Sequence, residues 1–425
     1  MNSVQSSVTS DQLDGKRPLP EGWVWTTLEE CVDILDNRRV PINSDERDQR
    51  IAGKEQSELY PYYGATGLVG WIDDFIFDEE IVLLGEDGAP FLESKNKAYL
   101  VRGKCWVNNH AHVLRSKKGI TTNLYLMHYL NIFDYHGYVT GTTRLKLNQG
   151  RMREFPVILP PLPEQERIVA RLEELLSDLE AGVAALARVR LGVKRYKVSV
   201  LKAACEGKLF GDKGIENGEL PEGWRWAKID EIADTIGGVT KGRNLTGKAT
   251  IMLPYLRVAN VQRGRLDLDV MKEIEILASE AEKYRLQDGD VVLTEGGDWD
   301  KLGRSAIWRN QIPNCIHQNH IFRARTKSSY VLPEWLMYYT NSEQGQNYFK
   351  EAAKQTTNLA SINLTQLRAC PIPLPPLEEQ RRIVAEVERR LEAARAVESA
   401  VKTGLKRAAW LRQAVLRSAF EGRLS

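Results

Sequence analysis

Along two stretches of the chain, apolar side chains return every third, fourth or seventh position. In the first they are Ile168, Leu172, Leu175, Leu179, Leu186, Val189, Val193, Tyr196, Val200 and Ala203, interrupted at Gly182. In the second they are Ile383, Val387, Leu391, Ala394, Val401, Leu405, Ala408, Leu411 and Val415. Such spacing predicts the seam of a coiled coil. Each stretch opens on LPPL followed by Glu-Gln, and proline with acids in the first turn marks a helix start. A helix of about 43 residues rises roughly 65 Å and needs a partner to cover its stripe. Elsewhere the pattern is shorter. FIFDEEIVLLG (residues 75–85) and GDVVLTEG (289–296) read as buried strands bounded by Gly and Asp. LYLMHYLN (124–131) and EWLMYYTNSEQGQNYFKEAA (334–353) read as helices.

The chain also repeats itself. LPEGWVW (19–25) returns as LPEGWRW (220–226), and LEECVDIL (28–35) as IDEIADTI (229–236). EIVLL (80–84) answers DVVLT (290–294), and Asn109-His110 answers Asn319-His320, which we take to lie on a shared core strand. TTRLKLNQGRMREFPVILPPLPEQERIVARLEELL (142–176) matches TTNLASINLTQLRACPIPLPPLEEQRRIVAEVERRL (356–391), and EGKL (206–209) matches EGRL (421–424). Insertions fall only before the LPPL motifs; after them the copies run in register. The chain therefore reads as variable, constant, variable, constant, with loops exchanged on a fixed scaffold. The expected organisation is α+β: residues 1–160 and 211–375 are two similar mixed domains, and 161–210 and 376–425 are the long helices. Acids crowd the first half of each helix, such as Glu173, Glu174, Glu180, Glu392 and Glu398, although Arg381, Arg382, Arg389, Arg390 and Arg395 weaken the polarity in the second. Bases crowd the second half, such as Lys194, Lys197, Lys202, Arg412 and Arg417. Antiparallel pairing sets acid beside base and suits the macrodipoles, giving an antiparallel coiled coil and a pseudo-two-fold chain.

Composition adds limits. Of 425 residues, 42% are hydrophobic and 27% charged, which suits a globular chain, and the net charge of +2 requires local patches for any nucleic-acid binding. No apolar run reaches membrane-spanning length, and the N-terminal stretch has no signal-like apolar core. The five scattered cysteines contain no CxxC pair, which fits a reducing cytoplasm.

Near-motifs for chemistry fail on their details. Gly242, Gly247 and Lys248 give G-x-x-x-x-G-K, but Ala249 stands where the Mg²⁺-binding hydroxyl belongs. Cys315, His317 and His320 sit close together without a second ligand pair, so no metal is assigned. Asp298 and Lys301 have nuclease-like spacing, but the first copy offers no matching lysine. No catalytic residue is assigned. Groups suited to phosphates and base edges recur instead. In the first copy these are Tyr63, Thr66, Thr142, Thr143, Arg144 and Lys146; in the second they are Lys241, Arg243, Lys248, Arg257, Arg263, Thr356, Thr357 and Asn358.

Taken together, the duplicated LPEGW-x-W, the duplicated LPPLxEQ-x-R-I-V before a long helix, YPYYGATGLVGWID and the EGKL/EGRL ends resemble the specificity (S) subunits of type I restriction–modification systems, the HsdS family. The resemblance spans nearly the whole chain. It implies a non-catalytic subunit whose two target-recognition domains each read half of an interrupted double-stranded DNA site. The helices would set the spacer and dock two methyltransferase (modification) subunits, with Ile168, Leu172, Leu175, Ile383, Val387 and Leu391 at the docking faces. Those partners would carry S-adenosylmethionine for adenine-N6 methylation. Restriction subunits using ATP and Mg²⁺ would join through them, while the chain itself would hold no cofactor and touch no membrane. The alternatives are a self-sufficient DNA-modifying or DNA-cleaving enzyme, or a two-headed coiled-coil scaffold for proteins.

Overall fold

A computed structural model of the chain describes residues 19–424 apart from positions 94, 212–213, 217, 328 and 356–359. The chain forms two units, Met1–Leu186 with Thr403–Ser425, and Ala187–Lys402.

In the first unit, β1 (Val24–Thr27), α1 (Leu28–Cys31) and β2 (Val32–Ile34) lead through α2 (Ser44–Ile51) into β3 (Tyr60–Gly64), β4 (Gly67–Ile72) and β5 (Phe77–Asp78). Then come β6 (Ile81–Gly85), β7 (Ala98–Val101), β8 (Lys104–Val107), β9 (Ala111–Ser116) and α3 (Asn123–Ile132). The unit continues with β10 (Val139–Thr140), β11 (Lys146–Leu147), α4 (Gln149–Arg153), β12 (Pro156–Leu159) and the part of the long helix α5 (Leu162–Cys205) up to Leu186. One sheet has the order β2-β9-β6-β7, a second β4-β3-β8-β5, and β1 pairs with β12. The IVLLG run explains why β6 is central: all five residues are buried. Alternate side chains serve opposite cores, as the two-residue strand period requires. Ile81 and Leu83 join Phe77, Cys105 and Val107 of the second sheet. Val82 and Leu84 join Tyr125 and Leu126 of α3 with Ile168 and Leu172 of α5.

The second unit repeats the plan. It contains β13 (Arg225–Lys228), α6 (Ile229–Ile232), β14 (Ala233–Gly237), β15 (Thr250–Leu256), β16 (Val261–Gln262), β17 (Arg265–Leu266) and β18 (Lys272–Leu277). Next are α7 (Ala281–Tyr284), β19 (Val291–Thr294), β20 (Gly296–Gly297), β21 (Ser305–Ile307), β22 (Ile316–His317) and β23 (Ile321–Thr326). It closes with α8 (Pro333–Asn341), α9 (Glu343–Ala352), β24 (Lys354–Gln355), β25 (Ala360–Ser361), α10 (Leu364–Arg368), β26 (Pro371–Leu374) and the part of the long helix α11 (Leu377–Phe420) up to Lys402. Its sheet β14-β23-β19-β21 answers β2-β9-β6-β7, and β13 with β26 answers β1 with β12.

Two sequence expectations need correction. The Glu86 N–H donates to the His110 carbonyl and the Glu295 N–H to the His320 carbonyl, so Glu86 answers Glu295. Pairing EIVLL with DVVLT was one residue out of step, a slip that would send every side chain to the wrong face. Burial agrees: Val291 and Leu293 join the helix-side core, as Val82 and Leu84 do. Asn109-His110 and Asn319-His320 are not on a core strand either. Each is a two-residue turn entering β9 or β23.

The Glu-Gln of LPPLxEQ is a joint. Gln165 is fully buried; its amide nitrogen donates to the Ile120 and Pro160 carbonyls (both 2.9 Å), and its oxygen accepts from Thr121 Oγ1 (2.8 Å). Gln380 does the same with the Tyr330 and Pro375 carbonyls and the Leu332 N–H, all at 2.9 Å. In each unit it ties the start of a long helix to the loop entering α3 or α8.

Within each unit the long helices run antiparallel. In the first unit Arg412 reaches Glu180 at 3.2 Å, and Leu186 packs where Gly404 carries no side chain. In the second, Lys197 pairs with Glu398 at 2.5 Å. Ala394, Val401 and Ala408 are buried on α11 as the seam predicts. On α5 the seam is narrower than expected: Val189 and Tyr196 are 44% and 43% exposed. A single partner helix covers only a narrow stripe, so these positions face outward.

Candidate nucleic-acid interface

In the first unit a cleft of about 1050 Å³ opens beside the end of β6. Three loops and a turn line it: Gly64, Ala65 and Thr66 after β3, residues 87–93 after β6, Asn108 and His110 before β9, and Thr142, Thr143 and Arg144 between β10 and β11. Backbone bonds fix these segments. The Asn108 N–H donates to the Tyr63 carbonyl (3.0 Å), the Gly88 N–H to Leu145 (2.9 Å), and the Leu147 N–H to Glu86 (2.8 Å). The Tyr99 hydroxyl donates to the Gly64 carbonyl.

Beneath the cleft lies a charged cluster. His112 is buried, with Nδ1 2.6 Å from Asp36 and Nε2 3.0 Å from the Leu147 carbonyl. Burial alone would raise the Asp36 carboxyl, but hydrogen bonds from His112, the Val113 N–H and Gln149 outweigh it and hold the group below the usual carboxylate range. Asp36, Glu86 and His112 lie close enough to offer ligands to a metal. Arg39 already fills that role, 2.7 Å from Glu86 and 3.4 Å from Asp36. The donor set is consumed by hydrogen bonds, and the cluster serves to brace β11 and the loop before it.

The second unit gathers the corresponding segments. The Gln318 N–H donates to the Leu256 carbonyl (3.0 Å), as Asn108 does to Tyr63, and the Ile362 N–H donates to Glu295 (3.0 Å), as Leu147 does to Glu86. The match equates Pro61-Tyr62-Tyr63 with Pro254-Tyr255-Leu256, a correspondence too short to stand out in the sequence. After it, residues 257–266 replace the GATGLVGW hairpin.

The residues expected at the interface divide accordingly. Thr66, Thr142, Thr143 and Arg144 meet in one cleft, and Lys146 stands exposed on β11 with Glu86 at 3.5 Å. Tyr63 is half-buried with its ring 5.9 Å from Tyr99, so it supports the cleft from behind. Lys241 and Lys248 are exposed. Arg243 makes a two-pronged pair with Glu280 at 2.7 and 3.0 Å. Arg257 donates to the Val270 carbonyl at 2.8 Å, and Arg263 to the Asp300 carbonyl at 2.9 Å and Gln346 at 2.5 Å. These two guanidinium groups are committed inside the chain. Thr356, Thr357 and Asn358 lie outside the described residues. Asn108 and His110 also line the cleft; the sequence reading passed over His110 because it assigned the Asn109-His110 repeat to a strand, and nothing in the repeat singles out Asn108. Asp298 pairs with Lys301, which holds its carboxyl low, and Asp300 pairs with Arg304, so the nuclease-like acids are tied to neighbouring bases.

Four of the six docking residues also need correction. Ile168 and Leu172 are inside the first unit's core, and Ile383 and Val387 inside the second's. Leu175 is half-buried, and Leu391 packs against the second core. The early turns of each helix are covered by its own domain, which leaves Ile168, Leu172, Ile383 and Val387 no free face. The exposed apolar positions lie further along: Val183 and Trp410 in the first unit, and Val189, Leu191, Tyr196, Val198 and Val397 in the second.

This duplicated fold, with loops gathered at one end of each sheet, defines a class. The family model of the type I restriction modification DNA specificity domain matches residues 20–186 and 221–402, and the chain belongs to that family. Among its relatives is the type I restriction enzyme EcoKI specificity subunit of Escherichia coli K12, 26% identical over 96% of this chain and 90% of that one. The StySPI specificity subunit of Salmonella potsdam is 26% identical over 82% of this chain and 76% of that one. Solved structures share the fold. One, from work on complex assembly and conformational transition of the type I R-M system, has a TM-score of 0.69 at 21% identity, covering 96% of this chain and 100% of that one. Another, the HsdS subunit from Thermoanaerobacter tengcongensis, has a TM-score of 0.55 at 21% identity, covering 96% and 99%. Among the described residues no helix is long and apolar enough to cross a membrane.

Proposed function

We propose that the chain is the non-catalytic DNA-recognition subunit of a type I restriction–modification complex. The observation that carries this is the gathering, in each of two units of one family fold, of equivalent loops at the same end of the central sheet. Each unit reads one half of an interrupted duplex site, and the paired helices set the spacer. Two modification subunits bind the helices, supply S-adenosylmethionine and methylate adenine; restriction subunits with ATP and Mg²⁺ join through them in the cytoplasm. The outward apolar side chains are the better docking candidates, Trp410 foremost at 68% exposure. Domain boundaries at residues 160, 210 and 375 go with this reading. The reading of a self-sufficient enzyme loses its support, since Asp298 and Asp300 are paired with Lys301 and Arg304.

Methylome sequencing of the host with and without this chain tests the proposal. The expected result is loss of one bipartite adenine-methylated motif. Inserting four residues into both long helices adds about 6 Å to each and should lengthen that motif's spacer by a base pair or two. An unaltered methylome refutes the function, and an unaltered spacer refutes the ruler.

A further inference from the structure

Several cations at and beside the candidate interface are already paired with acids of the chain. Arg144 Nε lies 2.6 Å from Asp87, and His110 Nδ1 lies 3.6 Å from the same carboxylate. Lys146 and Arg39 share Glu86, at 3.5 and 2.7 Å. In the second unit Arg243 is taken by Glu280, Arg304 by Asp300 and Lys301 by Asp298. The Arg144 seat is built for the pair. Gly88 has φ +74°, and a Cβ there would stand 3.3 Å from Arg144 Nε, so its bare backbone lets the guanidinium lie across the loop. The backbones on both sides are fixed, with Asp87 bridged to Lys146 and the Gly88 N–H bonded to Leu145. The Arg144 side chain itself is 61% exposed.

An ion pair so exposed contributes little to folding, and it exchanges readily for another anion. From this, and resting on the DNA-recognition reading above, we infer that Asp87 is a specificity residue acting as an internal competitor for Arg144. On arbitrary duplex, Arg144 must leave Asp87 to meet a phosphate, and the exchange gains almost nothing. On the target sequence, base-edge contacts in the cleft compensate for the lost pair. Sequence-independent binding is thereby suppressed without weakening the specific complex to the same degree.

The test is binding of the full-length chain to a mixed-sequence duplex by fluorescence anisotropy across a salt series. Asp87→Asn should bind about threefold to fivefold tighter than wild type, which corresponds to freeing one exposed pair. Its slope of log affinity against log salt should steepen by about 0.9, one further phosphate contact. Asp87→Ser should show the same gain, and it carries the test where Asp87→Asn folds poorly. Adding Arg144→Gln to Asp87→Asn should erase the gain. Glu174→Gln, which frees Arg171 on the helix, should leave binding unchanged. The inference is overturned if Asp87→Asn binds no tighter, if Arg144→Gln leaves the gain intact, or if Glu174→Gln matches it. A wild-type chain with no salt-dependent duplex binding overturns the recognition reading and this inference together; wild-type binding with an inert Asp87 overturns the inference alone.

Discussion

Replacing Gln380 by Glu probes the joint between the second unit and its helix with almost no change in shape. The native amide is wholly buried, donates to two carbonyls and accepts from one N–H, all at 2.9 Å. A protonated carboxyl keeps the acceptor and has one O–H where the amide had two N–H bonds. One carbonyl loses its donor, a cost of about 1 kcal/mol. The ionised form turns both oxygens toward carbonyl oxygens in a buried site, so the folded state raises the acid's pKa above the ordinary value of about 4.3. The sign follows. The folded variant binds its proton more tightly than the unfolded chain does, so its extra cost is absent below about pH 4.3 and grows as pH rises toward the folded pKa. A rise of about 3 units, usual for a fully buried acid, adds roughly 4 kcal/mol by neutral pH. At about 2–4 °C per kcal/mol for a unit of this size, the Tm deficit should widen from a few degrees near pH 4.5 to more than 10 °C near pH 8. Calorimetric melts of wild type and variant over that range measure it. A deficit that is the same at every pH would show that the side chain reaches water, and would refute the joint as described.

Two further outcomes follow from buried groups. His317 is held down to about 4 by burial, with Nδ1 bonded to the Ile321 carbonyl at 2.8 Å; stability present above about pH 6.5 should fall by roughly 3 kcal/mol as pH drops toward 4, and His317→Phe should flatten that dependence in urea titrations. Gly404→Leu would force a side chain into Leu186, where a Cβ alone would stand 3.1 Å away, and should cost about 1–3 kcal/mol in the same measurement.

Much of this architecture was legible in the sequence, for physical reasons that differ by element. The long helices announced themselves because a repeat of apolar residues over many turns has no other compact solution. Their antiparallel sense was read from charge, and the Lys197–Glu398 and Arg412–Glu180 pairs agree with it. Exposed pairs of this kind contribute at most about 1 kcal/mol, so they mark the direction, while burial of Ala394, Val401 and Ala408 contributes more to holding the helices. What the pattern could not say was which apolar residues face a neighbouring helix and which face a domain. Ile168, Leu172, Ile383 and Val387 fit the heptad, yet they belong to the domain cores. The strand register was equally hidden: a run such as IVLLG buried on both faces gives no alternation, and only the hydrogen bonds of Glu86 and Glu295 set the copies in step.

Comparison of the two units separates what mounts a domain from what it presents. Gln165 and Gln380 occupy equivalent joints and make equivalent bonds, because either long helix must receive its domain in one fixed attitude. The loops carry no such constraint. Where the first unit braces its cleft on Asp36 and His112, the matching strand pairs of the second place Gly237 and Phe322. Where the first follows Pro61-Tyr62-Tyr63 with a short hairpin, the second inserts Arg257–Arg265 loop residues tied to Asp300 and Gln346 through Arg263. A network as interdependent as Asp36–His112–Leu147 cannot be exchanged one residue at a time, since each partner left behind would be a buried polar group without its bond. Loops on such a mounting are therefore expected to change as whole sets, and the two sets to differ in what they present while sharing the same seat on the helices.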